Sequence, residues 1–350
     1  MLDIEQWVEK KANRLVLKTK KNTGVVILLS LIFSFVVPFS MLYYLDPGLF
    51  EKTWIGRTFY LFFLWLVILE IILDWEKLQK GKLQKVGSLR TIAFIAVLLL
   101  PTVYMVVANY GGLNLMIENL GKQNNMEDHY AKLMRLPVEY LVFAAAFGLM
   151  VLLAYGRSGL LDFSTSVFFL GVIGTLYAID TLYPGNRFTP FQMLVPATAN
   201  LAASVLNWMG YQTVFLRSAM EGVPRLAVLN TNVGIVAFDI AWPCSGIESL
   251  LIYTVVILLF LKKSGIPLWQ KTAYFAIGAS VTYILNVLRI VTIFLIKIGR
   301  GDWQTFHDYY GLLYSVSWII SYPLIIVGSQ ALWRKIRNRK SGRKDLVLTS

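Results

Sequence analysis

The chain is poor in the residues from which disulfides and metal sites are built. Cys244 is the only cysteine in 350 residues, so it cannot form an intramolecular disulfide. The two histidines, His129 and His307, do not stand in a cysteine-histidine spacing typical of a metal site, and no glycine-rich phosphate loop is present. We therefore expect no metal ion and no cofactor. The single thiol is either an apolar filler or a group with a chemical task.

Charge is also scarce, and this scarcity indicates the class of protein. Only 15% of the residues are charged, whereas 57% are apolar and 14% aromatic. Several apolar runs reach the ~20 residues that cross a hydrocarbon layer of roughly 30 Å. The net charge of +13 could indicate nucleic acid, but the basic residues cluster beside apolar runs, as at the cytoplasmic ends of membrane helices. The composition predicts an all-α polytopic membrane protein that binds no nucleic acid.

The apolar runs predict about eight transmembrane helices. They cover residues 24–45, 56–75, 91–109, 137–155, 164–183, 247–261, 272–297 and 312–333. One further uncharged segment, 191–210, is long enough to cross, and whether it does so stays open. Its Pro196, Asn200 and Asn207, with several small residues, favour an interfacial or re-entrant helix packed within protein.

Basic clusters predict the orientation of these helices. Residues 1–23 resemble a basic amphipathic helix on the inner membrane surface, and 334–350 form a basic tail. Both termini are thus expected in the cytoplasm. We expect four parts: segment 1–23, the N-terminal membrane helices of 24–183, a second membrane region of 184–333, and tail 334–350.

The segment between residues 211 and 241 differs in kind from the membrane runs. It carries runs of β-branched and aromatic residues separated by Asn and Gly, residues common in turns, which favours strands joined by a turn. We expect a small extracytoplasmic β-hairpin that leads into Cys244.

This topology places Cys244 and His307 at the same, outer face. If a helix begins just after Pro243, its unpaired backbone amides and its dipole favour a Cys244 thiolate, the nucleophilic form. Burial at the bilayer edge would raise the thiol pKa instead, so a reactive site needs a base or a cation nearby. His307 can accept and return a proton near working pH.

Arg289 is the candidate cation. It lies deep in the span 272–297, where an arginine is costly and normally faces protein, a partner charge or a cavity. Its guanidinium could stabilise an oxyanion, or hold a thiolate or a lipid phosphate. Asn286 lies one helical turn earlier on the same face and can hydrogen-bond into the same cavity.

Three motifs carry a resemblance to a known family. Pro243-Cys244-Ser245-Gly246 at the start of a span, Asn286-Val-Leu-Arg289-Ile in the next, and His307 followed by Gly311 resemble the signature of the exosortase/archaeosortase family. The resemblance covers roughly residues 185–330.

The resemblance implies a cysteine transpeptidase in the plasma membrane of a prokaryotic cell. Its protein substrates would be secreted proteins that end in a sorting signal of a short motif, a transmembrane helix and a basic tail. Cys244 would form an acyl-enzyme, Arg289 would stabilise it, and His307 would act as acid and base, with Ser245, Gly246 and Asn286 binding substrate or supporting the site. An amine acceptor, such as a membrane lipid or a surface polymer, would receive the new C-terminus.

Two other classes of function stay open. A transporter would place Glu70, Asp180, Glu248 and Arg289 along a pathway, although the internal symmetry typical of transporters is not evident. A lipid-modifying transferase would use Arg289 and His307, with Cys244 as a packing thiol. Glu248, beside the cysteine, has no role that the resemblance assigns.

Overall fold

The structure is a computed structural model of the chain. It describes residues 2–52, 55–79, 88–183, 193–218, 223–231, 233–307, 315 and 317–333, and only the backbone of residues 2–23, Pro243 and Lys263. The predicted basic tail 334–350, residues 80–87 between the second and third predicted spans, and the first residues of the last predicted span lie outside the described residues.

The protein is a helical membrane protein. Among the described helices, five are long and apolar enough to cross a membrane, and two apolar helices are shorter. The five are Gly24–Leu45, Leu89–Tyr110, Asp128–Tyr155, Ser164–Leu182 and Leu268–Ile298, and the two are Thr58–Leu73 and Ser317–Trp333. Seven of the eight predicted spans correspond to these helices, and the eighth, 247–261, lies within the helix Ile247–Lys263.

The chain divides into two compact units, Met1–Pro184 and Gly185–Ser350. The described helices of the first unit are α1 (Leu2–Leu45), α2 (Gly48–Glu51), α3 (Thr58–Leu73), α4 (Trp75–Leu78), α5 (Leu89–Tyr110), α6 (Leu113–Gln123), α7 (Asp128–Leu133), α8 (Arg135–Tyr155), α9 (Arg157–Asp162) and α10 (Ser164–Leu182). Residues 2–23 continue the same helix as the span that follows them, so they are not a separate element. Their place on the membrane surface stays a prediction.

Aromatic side chains form the core of the first unit. Phe35 of α1 packs edge-on against Phe63 of α3 and against Phe143 and Phe147 of α8, with ring centroids 5.1–5.8 Å apart. All four rings are fully buried. Helices that lie among lipid tails gain little from hydrophobic burial against each other, so close packing of such large side chains has to supply the stability.

Polar contacts join opposite ends of these helices. Near the start of α8, Glu139 accepts two hydrogen bonds of 2.8 Å from Arg57 and one of 2.9 Å from Tyr60. Near its end, the carbonyls of Leu152 and Leu153 accept hydrogen bonds from Arg90. The two groups of contacts lie about 20 Å apart along α8, which agrees with helices that alternate in direction.

The second unit contains a small sheet and three long helices. Its described elements are α11 (Leu194–Trp208), β1 (Gln212–Leu216), β2 (Arg225–Asn230), β3 (Gly234–Asp239), a 3₁₀ turn (Trp242–Ser245), α12 (Ile247–Lys263), α13 (Leu268–Ile298), the single turn α14 (Trp303–Thr305) and α15 (Ser317–Trp333). The ambiguous segment 191–210 forms α11, which has 15 residues and is about 22 Å long, short for a straight crossing.

The sheet has three antiparallel strands, in the order β1-β2-β3, where the sequence predicted a hairpin. Strands β2 and β3 are that hairpin: Asn230 pairs with Gly234, and the Asn230 side chain accepts a hydrogen bond of 3.1 Å from the Val233 amide. Strand β1 adds to the other edge of β2, where Gln212–Leu216 pairs antiparallel with Arg225–Leu229.

Helices α12, α13 and α15 pack around tyrosine side chains. The hydroxyls of Tyr253 and Tyr322 donate hydrogen bonds of 3.3 and 2.7 Å to the Tyr274 carbonyl. Gly278 permits this close approach, because a Cβ there would overlap the Tyr253 hydroxyl. The second unit thus has a packed helical base, with the sheet and the 3₁₀ turn at the end where α12 begins.

Candidate active site

Cys244 lies in the 3₁₀ turn that precedes α12. The α-helix begins at Ile247, three residues after the cysteine, so the sulfur is not in the first helical turn that the sequence predicted. The Cys244 amide donates a hydrogen bond of 3.0 Å to the Ala241 carbonyl, and the Ser245 hydroxyl donates one of 2.6 Å to the Trp242 carbonyl. These bonds close the turn, and Cys244 itself is half-buried.

Gly246 joins the turn to the helix in a conformation that only glycine adopts easily. Its φ is +94°, in the left-handed region. A Cβ at this position would also lie 2.9 Å from the side-chain amide of Asn286. The fold therefore requires glycine at position 246 for two independent reasons, backbone conformation and space.

Asn286 connects α13 to the cysteine turn. Its Nδ2 donates a hydrogen bond of 3.0 Å to the Cys244 carbonyl, and its side chain is almost fully buried. The predicted supporting residues Ser245, Gly246 and Asn286 are thus brought together, and Asn286 holds the backbone of Cys244.

Arg289 lies three residues after Asn286 and contacts the segment that carries His307. Its Nη2 donates a hydrogen bond of 3.1 Å to the His307 carbonyl. Among the described residues, the buried Nε of Arg289 has no hydrogen-bond partner. The contact uses the His307 backbone, so the relation of its imidazole to the Cys244 sulfur stays a prediction. His129, the other histidine, lies exposed in α7 of the first unit.

The electrostatics of the turn favour a protonated thiol. Burial raises the pKa of the Cys244 thiol above its ordinary value. The positive charge of Arg289 lowers that pKa, the negative charge of Glu248 raises it, and a backbone hydrogen bond at Ala241 lowers it. Burial dominates, so the helix end alone does not produce the thiolate. Of the residues singled out from the sequence, Arg289 is the one that opposes this effect.

Two pairs of hydroxyl groups near the site were not predicted. The Thr198 hydroxyl of α11 lies 2.8 Å from the Tyr283 hydroxyl and 3.5 Å from the Ser245 carbonyl. The Ser249 hydroxyl of α12 donates a hydrogen bond of 2.9 Å to the Ser315 hydroxyl. The only sequence signal for Thr198 was its place among the small residues of an uncharged segment, which indicates helix packing but no particular partner.

Glu70, which the transporter reading placed on a pathway, caps a helix. Its carboxylate accepts hydrogen bonds from the Thr165 and Ser166 amides, at 3.1 and 3.3 Å, and from the Ser166 hydroxyl at 2.6 Å. These amides belong to the first turn of α10, where a negative charge is favourable. The described residues contain no group of three or more histidine, cysteine or acidic side chains that could hold a metal ion.

The fold and this site define a multi-helix membrane protein with one cysteine. That cysteine lies just before α12, and Asn286 of α13 holds its backbone. The family model described as transmembrane exosortase (Exosortase_EpsH) matches residues 51–322, which is more than half of the chain. The chain therefore belongs to the transmembrane exosortase family. No curated protein and no solved structure matches it. Membership supports a protein-sorting transpeptidase in general and implies protein substrates with C-terminal sorting signals.

Proposed function

We propose that this exosortase is a cysteine transpeptidase that cleaves C-terminal sorting signals at the outer face of a prokaryotic plasma membrane. Its substrates are secreted proteins that end in a short motif, a transmembrane helix and a basic tail. A substrate helix that lies among the membrane helices presents its outer end to the site at high effective concentration.

The reaction proceeds through a thioester on Cys244. The deprotonated sulfur attacks the carbonyl carbon of the scissile peptide, and the peptide C–N bond breaks as the leaving amine takes a proton from His307. An acceptor amine then attacks the thioester, forms a new amide and releases the Cys244 sulfur. His307 first accepts the proton of the thiol and later that of the acceptor amine.

Arg289 stabilises the negative charge of the tetrahedral intermediates. Its Nε is a buried donor without a partner among the described residues, and its charge lowers the pKa of Cys244. Loss of one oxyanion donor typically reduces the rate about 10²–10³-fold. One observation carries this assignment: α13 contacts both the cysteine turn and the His307 segment. Asn286 binds the Cys244 carbonyl, and Arg289 binds the His307 carbonyl.

In the proposed topology the chain crosses the membrane eight times, this site lies outside, and both termini lie in the cytoplasm. Helices α12 and α15 run inward and α13 runs outward, so the cysteine turn, the sheet and His307 share the outer face. A common face for Cys244 and His307 is supported by α13, because its Asn286 contacts Cys244 and its Arg289 contacts the His307 backbone.

Replacement of the nucleophile tests the chemistry. Cells that lack the native gene would express the native chain, Cys244→Ala or Ser280→Ala, an exposed hydroxyl on α13. With the native chain and Ser280→Ala, we expect a substrate ending in motif, helix and basic tail to be shortened, and a hydroxylamine-sensitive adduct to form on the enzyme. Cys244→Ala should abolish both.

Continued processing by Cys244→Ala would contradict the proposal and favour the lipid-modifying transferase reading. The location of the site is tested separately, since the single cysteine can be labelled with a membrane-impermeant thiol reagent in intact cells. Labelling from the outside is expected, and labelling only after the membrane is opened would overturn the topology.

A further inference from the structure

A cleft of about 480 Å³ lies beside the sheet of the second unit and has three positive charges in its lining. Arg217 follows β1, Arg225 begins β2, and Lys297 lies in the last turn of α13. Three separate elements therefore direct basic side chains to one cleft. From its place in the fold and its lining, we infer that this cleft binds the phosphate headgroup of an anionic phospholipid.

The charge of the cleft is incompletely neutralised. Arg225 pairs across the sheet with Asp239, at an N–O distance of 3.7 Å. Lys297 lies 5.7 Å from the ring centroid of Trp303. Within the described part of the chain, no carboxylate forms an ion pair with Arg217 or Lys297. Even with Asp239 counted, the cleft keeps an excess of positive charge that a phosphate complements.

The remaining lining is apolar, which favours a lipid over a free phosphate. Phe238, Val236 and Ile235 of β3 line the cleft, and Ile235 is 64% exposed. An ion that is fully hydrated gains nothing from such a wall, whereas the glycerol and the first acyl carbons of a phospholipid do. Basic pockets of membrane proteins bind anionic lipid headgroups.

The height of the cleft relative to the membrane agrees with this ligand. Lys297 lies at the end of α13, the helix that is apolar enough to cross the membrane. Phospholipid phosphates lie at the level where such helices end. The proposed topology places this end outside, where basic residues are disfavoured. Binding of a lipid phosphate would account for a lysine at this position.

The cleft adjoins the proposed active site without being part of it. The Phe238 ring packs against Phe294 of α13 and Trp303 of α14, with centroids 5.0 and 4.8 Å apart. Strand β3 leads directly into the cysteine turn, and Lys297 is two helical turns beyond Arg289. A lipid in the cleft would therefore lie next to the site, whatever reaction Cys244 performs.

Lipid binding to the purified full chain tests the inference without any use of catalysis. The protein, in a neutral detergent, would be titrated with phosphatidylglycerol and with zwitterionic phosphatidylcholine, and bound lipid would be counted by native mass spectrometry. We expect phosphatidylglycerol to bind more tightly. Each basic residue near an anionic lipid contributes on the order of fivefold in affinity, so R217Q/R225Q/K297Q should bind about 100-fold more weakly.

Three further variants complete the test. Lys132→Gln removes one exposed positive charge from the first unit and should leave the affinity unchanged. Asp239→Asn removes the carboxylate that competes for Arg225 and should tighten binding. Cys244→Ala should bind phosphatidylglycerol like the native chain, so a failure of the transpeptidase proposal would not change this result.

Equal affinity of the triple variant and Lys132→Gln for phosphatidylglycerol would overturn the inference. Displacement of the lipid by an equimolar amount of glycerol phosphate would also overturn it, since the cleft would then recognise phosphate alone. If the triple variant does not fold, as judged by size-exclusion chromatography, two single variants replace it. Arg217→Gln should weaken the binding of phosphatidylglycerol, and Asp239→Asn should tighten it. If neither variant changes the affinity for phosphatidylglycerol, the cleft is not the lipid-binding site.

Discussion

The two units of this chain differ in how their buried arginines are hydrogen-bonded. In the first unit, Arg57 and Glu139 are both 2% exposed and satisfy each other with two hydrogen bonds of 2.8 Å. In the second unit, Arg289 uses one nitrogen to hold a backbone carbonyl, and its buried Nε has no partner among the described residues. An arginine whose donors are satisfied stabilises a fold, whereas one with a donor in reserve can bind a reacting group.

The glutamates differ in the same way. Glu70 of the first unit accepts hydrogen bonds at the start of α10 and stabilises that helix end. Glu248 of the second unit lies in the first turn of α12 and raises the pKa of the Cys244 thiol. A carboxylate in the first turn of a helix is ordinarily favourable, but this one opposes the ionisation of a neighbouring group. The comparison supports the proposal that the chemistry takes place in the second unit.

The largest expected effect is on the ion pair of the first unit. Glu139→Gln would leave the Arg57 charge buried and unpaired, which costs about 3–5 kcal/mol of stability. The thermal midpoint of the purified chain in detergent should fall accordingly. The double variant Arg57→Met/Glu139→Leu should recover much of the loss, because it removes both charges.

Arg289→Gln gives the contrasting result. We expect a stability loss on the order of 1 kcal/mol, since a glutamine can still donate to the His307 carbonyl, together with a loss of processing. Lys77→Gln is the control, because Lys77 is 58% exposed in its ion pair with Asp162 and should cost at most ~1 kcal/mol. Equal destabilisation by Glu139→Gln and Arg289→Gln would remove the distinction between the units.

An effect on stability smaller than that of Glu139→Gln is expected at the glycine of the cysteine turn. Gly246→Ala meets both a φ of +94° and the Asn286 side chain, whereas Gly210→Ala meets a φ of +91° and open space. The conformational part costs roughly 1–2 kcal/mol at either position. Only Gly246→Ala should also displace Asn286 and reduce processing, measured as the rate of substrate shortening. Similar processing rates in the two variants would mean that the contact with Asn286 is not needed.

The smallest expected effect is on the ionisation of Cys244. Glu248→Gln removes a negative charge and should lower the thiol pKa, so alkylation at a given pH becomes faster. Arg289→Gln removes a positive charge and should raise the pKa, so alkylation becomes slower. The rate of alkylation against pH measures both, with Lys271→Gln at the other end of α13 as the control. Shifts of the same sign in both variants would contradict the electrostatic account.

Much of the architecture could be predicted because it depends on local patterns. A run such as Leu89–Tyr110 is apolar over its whole length, and no other part of the chain is needed to see that it suits a membrane. The strands of the sheet were likewise visible as β-branched and aromatic runs. The number of paired strands was not visible in the sequence. Strand β1 pairs with β2 across a longer connection, and the local pattern does not reveal that pairing.

The candidate site was predicted in part, for a related reason. Cys244, Asn286 and Arg289 stood out because a lone thiol and polar residues within apolar runs are unusual. Their contacts were not visible: Asn286 binds a backbone carbonyl across 42 positions, and Thr198 reaches the same turn from α11. Nothing in the sequence around Thr198 distinguishes that contact from ordinary helix packing.

By itself, the sequence determined that this protein is helical, lies in a membrane and carries one thiol beside a helix start, since composition and periodicity act along the chain. Tertiary structure alone decided that Gly246 must be glycine to admit Asn286, that burial opposes the thiolate, and that three basic residues from separate elements line one cleft. These properties depend on distances between residues far apart in sequence, which only packing sets.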